Sequence, residues 1–377
     1  MKRFIAILLI YCFLLPTAAL AKGIDELTSK SYILMDGQSG NVLLENNADE
    51  QLPPASITKI MTMLLAIEAI DSGKLKTTDI VSVSETAAIK EGSHVFLAPG
   101  EQISVDDLMK SIAVASGNDA AIAIAETLCG TQEKFVEQMN KRASELNMNN
   151  TKFINCNGLD TDGHVSCARD VAIMTFELLK HPKIFDYTTI WMDTLRNGTF
   201  QLANTNKLIR FYDGANGMKT GSTSKAGFCL SATAKRNGVQ LIAVVMGAPS
   251  SKERFADAST LLNYGFQNYS LTTACQKGDI AGDVAVTKGT LPAVTAIASQ
   301  TYSLLTENNQ KDLLKEQKVL TETVEAPVEE GQKLGEIIYT FNGKETGRVP
   351  LVALNSVSKL TYGHLFKELI NNFLFKI

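Results

Sequence analysis

Between Ile57 and Ile70 the chain reads ITKIMTMLLAIEAI, with Ile57, Ile60, Met61, Leu64, Leu65 and Ile67 at helical spacing. A helix that is apolar on most sides has no face to give to water, so it needs a domain large enough to surround it. A chain of 377 residues has room for that. About two domains are expected at this length, with ample material for a large core in the first. The helix stops at Asp71-Ser72-Gly73-Lys74, where Gly73 can take the left-handed terminal conformation. One charge stands near its head: Lys59, three residues after Ser56. Residues three apart share a helix face, so the ammonium group can reach the hydroxyl. A serine attacks only if a base takes its proton, and a lysine can do so when neutral. Burial and a second nearby cation both favour the neutral form. The pattern alone decides little, because Ser-x-x-Lys recurs at Ser222/Lys225 and Ser356/Lys359. A working site needs another cation and another hydroxyl from elsewhere in the chain.

The text around this helix predicts a mixed α and β domain. SYILMDGQSGNVLLENNAD reads as a hairpin, and ISVDDLMKSIAVASGNDAAIAIAETLCG as two helices broken at Ser116-Gly117-Asn118. TQEKFVEQMNKRASELNM and VAIMTFELLKH give further helices, with a loop between them. Two strands should turn at Asn237-Gly238, and ERFADASTLLNYGFQNY is a late amphipathic helix. Near Tyr269 the character changes to short Val/Thr/Ala-rich runs between glycine turns, a small β-rich domain. In the last stretch Leu365, Phe366, Leu369, Ile370, Phe373, Leu374 and Ile377 follow helical spacing, with His364, Lys367, Asn371 and Lys376 mainly opposite. Such a helix can lie in a membrane interface or dock on its own domain; the apolar residues crowded at the terminus favour the membrane.

The first residues, MKRFIAILLIYCFLLPTAALA, have the layout of a secretory signal: Lys2 and Arg3, an apolar run, then Ala19-Leu20-Ala21. The run is short for a membrane span of about 20 residues. Ile10-Tyr11 before Cys12 lacks the small residues of a lipid-attachment site. The expected organisation is a signal peptide over 1–21, a catalytic domain over 22–269, a β-rich domain over 270–356 and an amphipathic helix over 357–377. The protein is therefore expected to be exported and to work at the outer face of the cytoplasmic membrane. Removing Lys2 and Arg3 takes the formal charge from −4 to −6, which argues against nucleic-acid binding. Cys129, Cys156, Cys167, Cys229 and Cys275 remain, too scattered for a disulfide framework. Cys156 and Cys167 could pair across a loop, though buried thiols are the plainer expectation. No Cys-x-x-Cys or His-Glu-x-x-His occurs, and no metal or cofactor is expected. His94 and His164 fall in loops with no Gly-x-Ser-x-Gly elbow, so hydrogen-bonded loop histidines are expected rather than a serine–histidine pair.

Two motifs supply what Ser56 and Lys59 need. Ser116-Gly117-Asn118 at a helix break can project a hydroxyl and an amide into a cleft. Lys219-Thr220-Gly221 is expected to start a strand, with its lysine as second cation, its threonine as carboxylate ligand and its glycine leaving space for a substrate strand. A second Ser-x-Asn, Ser39/Asn41, falls in the first hairpin. Ser56-x-x-Lys59, Ser116-x-Asn118 and Lys219-Thr220-Gly221, in this order, resemble the signatures of penicillin-binding proteins and serine β-lactamases. Among these the chain is most similar to the low-molecular-weight D-alanyl-D-alanine carboxypeptidases, closely over Ser29 to Tyr269 and more loosely beyond. PASITKIMT, MKSIAVASGNDAAIAIAE, GANGMKTGSTSKAGFCLSATAKRNG and ERFADASTLLNYGF carry the likeness.

The resemblance implies an α+β fold, with helices packed on and around an antiparallel sheet, followed by the β-rich domain. It implies that Ser56 forms an acyl-enzyme with the penultimate D-alanine of a peptidoglycan pentapeptide stem, and that Lys59 is its base. Ser116 would relay a proton to the leaving D-alanine with help from Lys219, and Asn118 would hold the substrate amide. Thr220 and Arg254 would bind the terminal carboxylate. The N–H groups of Ser56 and Ser222 would form the oxyanion hole, beside Gly221. β-Lactams would be covalent inhibitors. Ser222 stands where some relatives have a histidine or an aromatic, and Thr205, with Lys207 close by, where some have a second arginine. Three alternatives remain: a D,D-endopeptidase, a β-lactamase and an inactive wall-binding module. Glu145-Leu146-Asn147 is the nearest look-alike of a β-lactamase deacylation motif, but it falls in a segment matching the carboxypeptidases.

Overall fold

The computed structural model describes residues 23–88, 91–308, 310–366 and 370. The expected signal segment and most of the expected terminal helix lie outside them. By its contacts the chain divides into two compact units between Gly265 and Phe266. That division falls inside a continuous helix, Ser251–Asn268, a few residues before the compositional change at Tyr269.

In the first unit Ser31–Asp36 and Val42–Asn46 form the expected hairpin. The Asp36 carboxylate pins its turn, accepting from the Ser39 hydroxyl and from the Gln38 N–H at 3.0 Å. The hairpin edges a five-stranded antiparallel sheet, which continues through Val239–Ala248 and Gly227–Arg236 to Ala215–Thr223 at the far edge. Asn237 and Gly238 both have positive φ, as the two-residue turn requires. Val239–Ala248 is apolar almost throughout and buried almost throughout, because helices cover both faces of the sheet. On one face Ile33, Met35, Ile242, Val244 and Met246 join the main hydrophobic core. On the other lies the Ser251–Asn268 helix. A Cβ on its Gly265 would stand 2.5 Å from Leu241 Cδ1 and 3.2 Å from Leu34 Cδ2, so glycine lets the helix lie flat on the strands.

The Lys59–Asp71 helix is as enclosed as its sequence requires. Ile60, Met61, Met63, Leu64, Ala66 and Ile67 have no exposure. Val105–Ala113, Asn118–Cys129, Gln132–Glu145 and Ala168–Leu179 pack around it, and the last of these also lies on the sheet. Gly73, at φ +74°, follows the helix end as expected. Two details differ from the sequence reading. Lys219-Thr220-Gly221 does not start its strand; it lies in the second half of Ala215–Thr223, because the small residues ahead of it are extended as well. Cys156 and Cys167 are not paired; both are buried free thiols, as are Cys229 and Cys275, while Cys129 is partly exposed.

The second unit is β-rich. Tyr269–Cys275 pairs with Tyr302–Glu307. A six-stranded sheet runs in the order Leu314–Leu320, Lys333–Phe341, Lys344–Ala353, Ala293–Ala298, Ile280–Thr287, Thr323–Glu325. Its core includes Val284, Ala296, Leu334, Ile337, Val349 and Leu351. Beyond it, residues 362–366 are helical, and Tyr362 and Phe366 are 93 % and 67 % exposed. Among the described residues no helix is long and apolar enough to cross a membrane.

Candidate active site

Ser56 lies in a single 3₁₀ turn, Ala55–Thr58, that runs straight into the helix beginning at Lys59. The turn is held in a shape its sequence does not favour, since Ala55 has φ +49°, left-handed for a non-glycine residue. Two glycines clamp it. A Cβ on Gly158, itself at φ +88°, would stand 1.9 Å from the Ala55 carbonyl oxygen. One on Gly221 would stand 2.9 Å from the backbone nitrogens of both Ser56 and Ile57. The room that Gly221 leaves is therefore filled by the backbone of the serine turn, not reserved for a substrate strand. Close approach of two backbones is what only glycine permits here. It brings the free edge of the Ala215–Thr223 strand against Ser56.

Lys59 has no exposure. Its Nζ donates to Ser56 Oγ at 3.0 Å, to Asn118 Oδ1 at 2.6 Å and to the Asn157 carbonyl at 2.6 Å. Burial pulls its pKa down to about 7, against smaller opposing influences of Cys156 and Asp119. Cys156 is itself pushed up to about 12 by burial and stays a neutral thiol at pH 7. The Asp119 charge is spent on backbone N–H groups, those of Val95, Leu97 and Ala120.

Asn118 is the first residue of its helix, and its three polar contacts fix it. Beyond accepting from Lys59, it donates from Nδ2 to the Glu91 carbonyl at 2.8 Å and from its backbone to Ser93 at 2.7 Å. Ser116, at the break, sits at φ +62° and is 3 % exposed, yet its Oγ has no hydrogen-bond partner among the described residues. A buried hydroxyl left unpaired is costly unless something else completes it.

Lys219 and Arg254 bring two more buried cations. Lys219 Nζ donates to the Thr220 carbonyl at 3.0 Å, and its pKa lies well below the ordinary lysine value through burial, with the Lys59 and Arg254 charges adding to the effect. Arg254 donates to the carbonyls of Gly221 and Cys229 at 3.1 and 3.4 Å and to Ser251 Oγ at 3.1 Å, while its Nε is buried without a partner among the described residues. Burial brings its pKa down to about 10. Thr220 Oγ1 donates to Thr205 Oγ1 at 2.7 Å, so the residue standing in for a second arginine does reach the site. Among the described residues no salt bridge neutralises Lys59, Lys219 or Arg254. A buried site of this kind, holding three basic groups and no acidic partner among the described residues, suits an anionic ligand. Ser222 follows in the same strand and is exposed.

The other two Ser-x-x-Lys copies build nothing comparable. Lys225 is mostly exposed and pairs with Asp162 at 3.3 Å, and Ser356 and Lys359 are exposed in the second unit. Glu145 is exposed at the end of its helix, 3.5 Å from Arg142. His94 is hydrogen-bonded to the Gly92 carbonyl, in keeping with a loop histidine.

Sequence reasoning missed the loop that closes the site from behind. Its Asn157 carbonyl is a Lys59 acceptor, and its Cys156 carbonyl accepts from Thr62 at 2.6 Å. His164, 4 % exposed, ties that loop to the serine turn. Its Nδ1 accepts the Ile154 N–H at 2.9 Å, so Nε2 carries the proton and donates to Thr58 Oγ1 at 2.8 Å. The NCNGLDTDGH text signals only a turn-rich loop, because backbone acceptors leave no residue-type signature.

With this geometry in view, comparison with known proteins is unambiguous. Residues 17–250 match the D-alanyl-D-alanine carboxypeptidase family, and residues 269–359 match the C-terminal domain of penicillin-binding protein 5. The chain belongs to this family of serine-type D-alanyl-D-alanine carboxypeptidases. It is 42 % identical to D-alanyl-D-alanine carboxypeptidase DacF of Bacillus subtilis, over 95 % of each chain. Penicillin binding protein 5 from Haemophilus influenzae superposes with TM-score 0.72 at 33 % identity, over 88 % of this chain and 98 % of its own. Penicillin-binding protein D2 from Listeria monocytogenes, in its ampicillin-bound form, does so with TM-score 0.56 at 32 % identity, over 64 % and 98 %.

The His164–Thr58 tie makes a pH prediction. Burial lowers the His164 pKa from 6.5 to about 4. An unfolded chain takes up that proton first, so the stability linked to His164 is present above pH 6.5 and is lost as pH falls toward 4, by up to about 3 kcal/mol. Urea midpoints measured across this range should fall less steeply in His164→Gln than in the parent. Equal slopes would show that His164 does not carry the effect.

Proposed function

We propose that the protein removes the terminal D-alanine from peptidoglycan pentapeptide stems through an acyl-enzyme on Ser56. The observation that carries this reading is the 3.0 Å contact between Ser56 Oγ and a fully buried Lys59, beside two further buried basic groups that form no ion pair among the described residues. With a pKa near 7 Lys59 spends much of its time neutral at physiological pH, and its lone pair can accept the Ser56 proton. The alkoxide then attacks the penultimate D-alanine carbonyl, with the backbone N–H groups of Ser56 and Ser222 stabilising the oxyanion. Ser116 passes a proton to the departing amine, a role that suits its unpaired hydroxyl, and Lys219 supports the transfer electrostatically. Asn118, already bonded to Lys59, offers its amide to the substrate backbone. Arg254 and Thr220 take the terminal carboxylate, and the Arg254 Nε, without a partner among the described residues, is a donor for it. Water cleaves the ester and restores Ser56.

A β-lactam offers its strained amide to the same serine, and the Listeria relative has an ampicillin-bound form. The exposed Glu145 is no candidate for a deacylating base, so the adduct should persist. Incubation with labelled penicillin should give a long-lived covalent label that is lost in Ser56→Ala, and the parent should release free D-alanine from a pentapeptide. A label that survives Ser56→Ala refutes the mechanism. Cleavage of a cross-linked dimer without release from the pentapeptide would make the enzyme an endopeptidase.

We further propose that the protein is exported under the direction of residues 1–21 and held at the outer face of the cytoplasmic membrane by residues 357–377. The exposure of Leu365 and Phe366 in the described turn supports the second point, since both leave apolar surface open. Deleting residues 362–377 should move the protein from the membrane to the soluble fraction, and an unchanged distribution contradicts the anchor.

A further inference from the structure

The segment 91–97 has no regular secondary structure, yet it holds the residue that faces the base. Its Glu91 and Ser93 carbonyls accept from Asn118 at 2.8 and 2.7 Å. The first of these bonds decides which way the carboxamide points. Only Nδ2 can donate to a carbonyl, so the bond to Glu91 turns Oδ1 toward Lys59, where it accepts at 2.6 Å. A rotated carboxamide would offer Lys59 an N–H group in place of an acceptor. The contact is close, since a Cβ on Gly92 would stand 2.7 Å from Asn118 Nδ2. The place of the segment therefore sets the geometry at Lys59.

That place is maintained against strain. Val95 and Leu97 are buried, but Phe96 between them is turned outward, 61 % exposed, at φ +59°. A left-handed backbone is an outlier for a side chain of this size, and a ring so exposed gains little from burial to offset it. Hydrogen bonds on both sides of the residue hold it there. On one side Asp119, the neighbour of Asn118, accepts the N–H groups of Val95 and Leu97 at 2.9 and 3.1 Å. On the other Arg196 donates to the Val95 carbonyl at 3.0 Å and to the Phe96 carbonyl at 3.1 Å. Arg196 comes from a different part of the chain, the turn between the paired strands Met192–Leu195 and Phe200–Ala203. Glu101 aims its guanidinium, accepting from Nε at 2.7 Å and from Nη2 at 3.1 Å. The planar fork lets one side chain span two carbonyls and a carboxylate, which a lysine could not do.

We propose that Arg196 is a positioning residue for the acylation of Ser56. It acts through the segment: by holding the Val95 and Phe96 carbonyls it keeps the Glu91 and Ser93 carbonyls on Asn118, and Asn118 keeps its oxygen on Lys59. Without Arg196 two charge-assisted hydrogen bonds are lost, and Phe96 is free to relax toward an ordinary backbone and carry the segment with it. The inference rests on the acyl-enzyme reading above and leaves its chemistry unchanged.

The test is a double-mutant cycle, read as the rate at which saturating labelled penicillin acylates the full-length protein. Arg196→Gln should slow acylation about 10- to 100-fold, the scale on which a misplaced catalytic group acts, with a thermal midpoint still well above the assay temperature. In an Asn118→Ala background, itself slowed, the same substitution should change the rate by no more than about twofold, because the contact it acts through is already gone. A general loss of stability would slow both backgrounds by the same factor. Glu101→Gln keeps the guanidinium without its aim, so it should slow acylation less and show the same dependence on Asn118; it supplies the comparison if Arg196→Gln does not fold. Acylation at the parent rate in the folded variants, or equal slowing on both backgrounds, overturns the positioning role while leaving the carboxypeptidase reading intact. No label in the parent overturns both.

Discussion

Everything in the site depends on one uncomfortable burial. An ammonium group with no exposure is expensive to keep charged, and the structure supplies Lys59 with three neutral oxygen acceptors and, among the described residues, no ion pair. The consequence is a lysine near neutrality at physiological pH. The apolar helix behind it creates that condition, because a helix surrounded by four others carries its first residue into the interior with it. Core and catalyst are therefore the same element. The same conditions act on Lys219, whose pKa is pulled well below the ordinary lysine value by its own burial first and by the Lys59 and Arg254 charges beside it.

The second constraint is the close approach of two backbones at Ser56. Gly158 and Gly221 press on the serine turn from different segments of the chain, and neither position tolerates a Cβ at the observed separations. Together they hold Ala55 in a left-handed conformation and present Ser56 to the edge of the sheet. Strain of about 1–3 kcal/mol in such a turn survives only where the surroundings over-determine it. The His164–Thr58 and Thr62–Cys156 bonds contribute to that over-determination from the loop behind.

The parts of this arrangement that rest on side-chain identity were legible in the sequence. The burial of Ile60, Met61 and Leu64 follows from their spacing, and the helix break at Ser116-Gly117-Asn118 from residues that disfavour helix. Ser56, Lys59, Asn118, Lys219 and Arg254 carry their chemistry in their names, and their motifs appear in a recognisable order. Contacts made by backbone were not legible. No residue type announces that the Asn157 carbonyl will accept from Lys59, or that the space beside Gly221 belongs to Ser56. Lys219 was expected at a strand start because a motif marks a point in the chain and not the extent of the strand around it. The two extra Ser-x-x-Lys copies show the converse: the same letters without an enclosing core leave Lys225 and Lys359 in water.

The account stands on the state of Lys59, and that state can be observed directly. With lysine labelled at the ε-carbon by carbon-13, the Lys59 signal, assigned by its absence in Lys59→Met, can be followed by NMR against pH in the unliganded protein. The account predicts a midpoint at about 7. A midpoint near 10.5, the ordinary lysine value, would mean that Lys59 stays an ammonium ion at physiological pH and would contradict its role as the base.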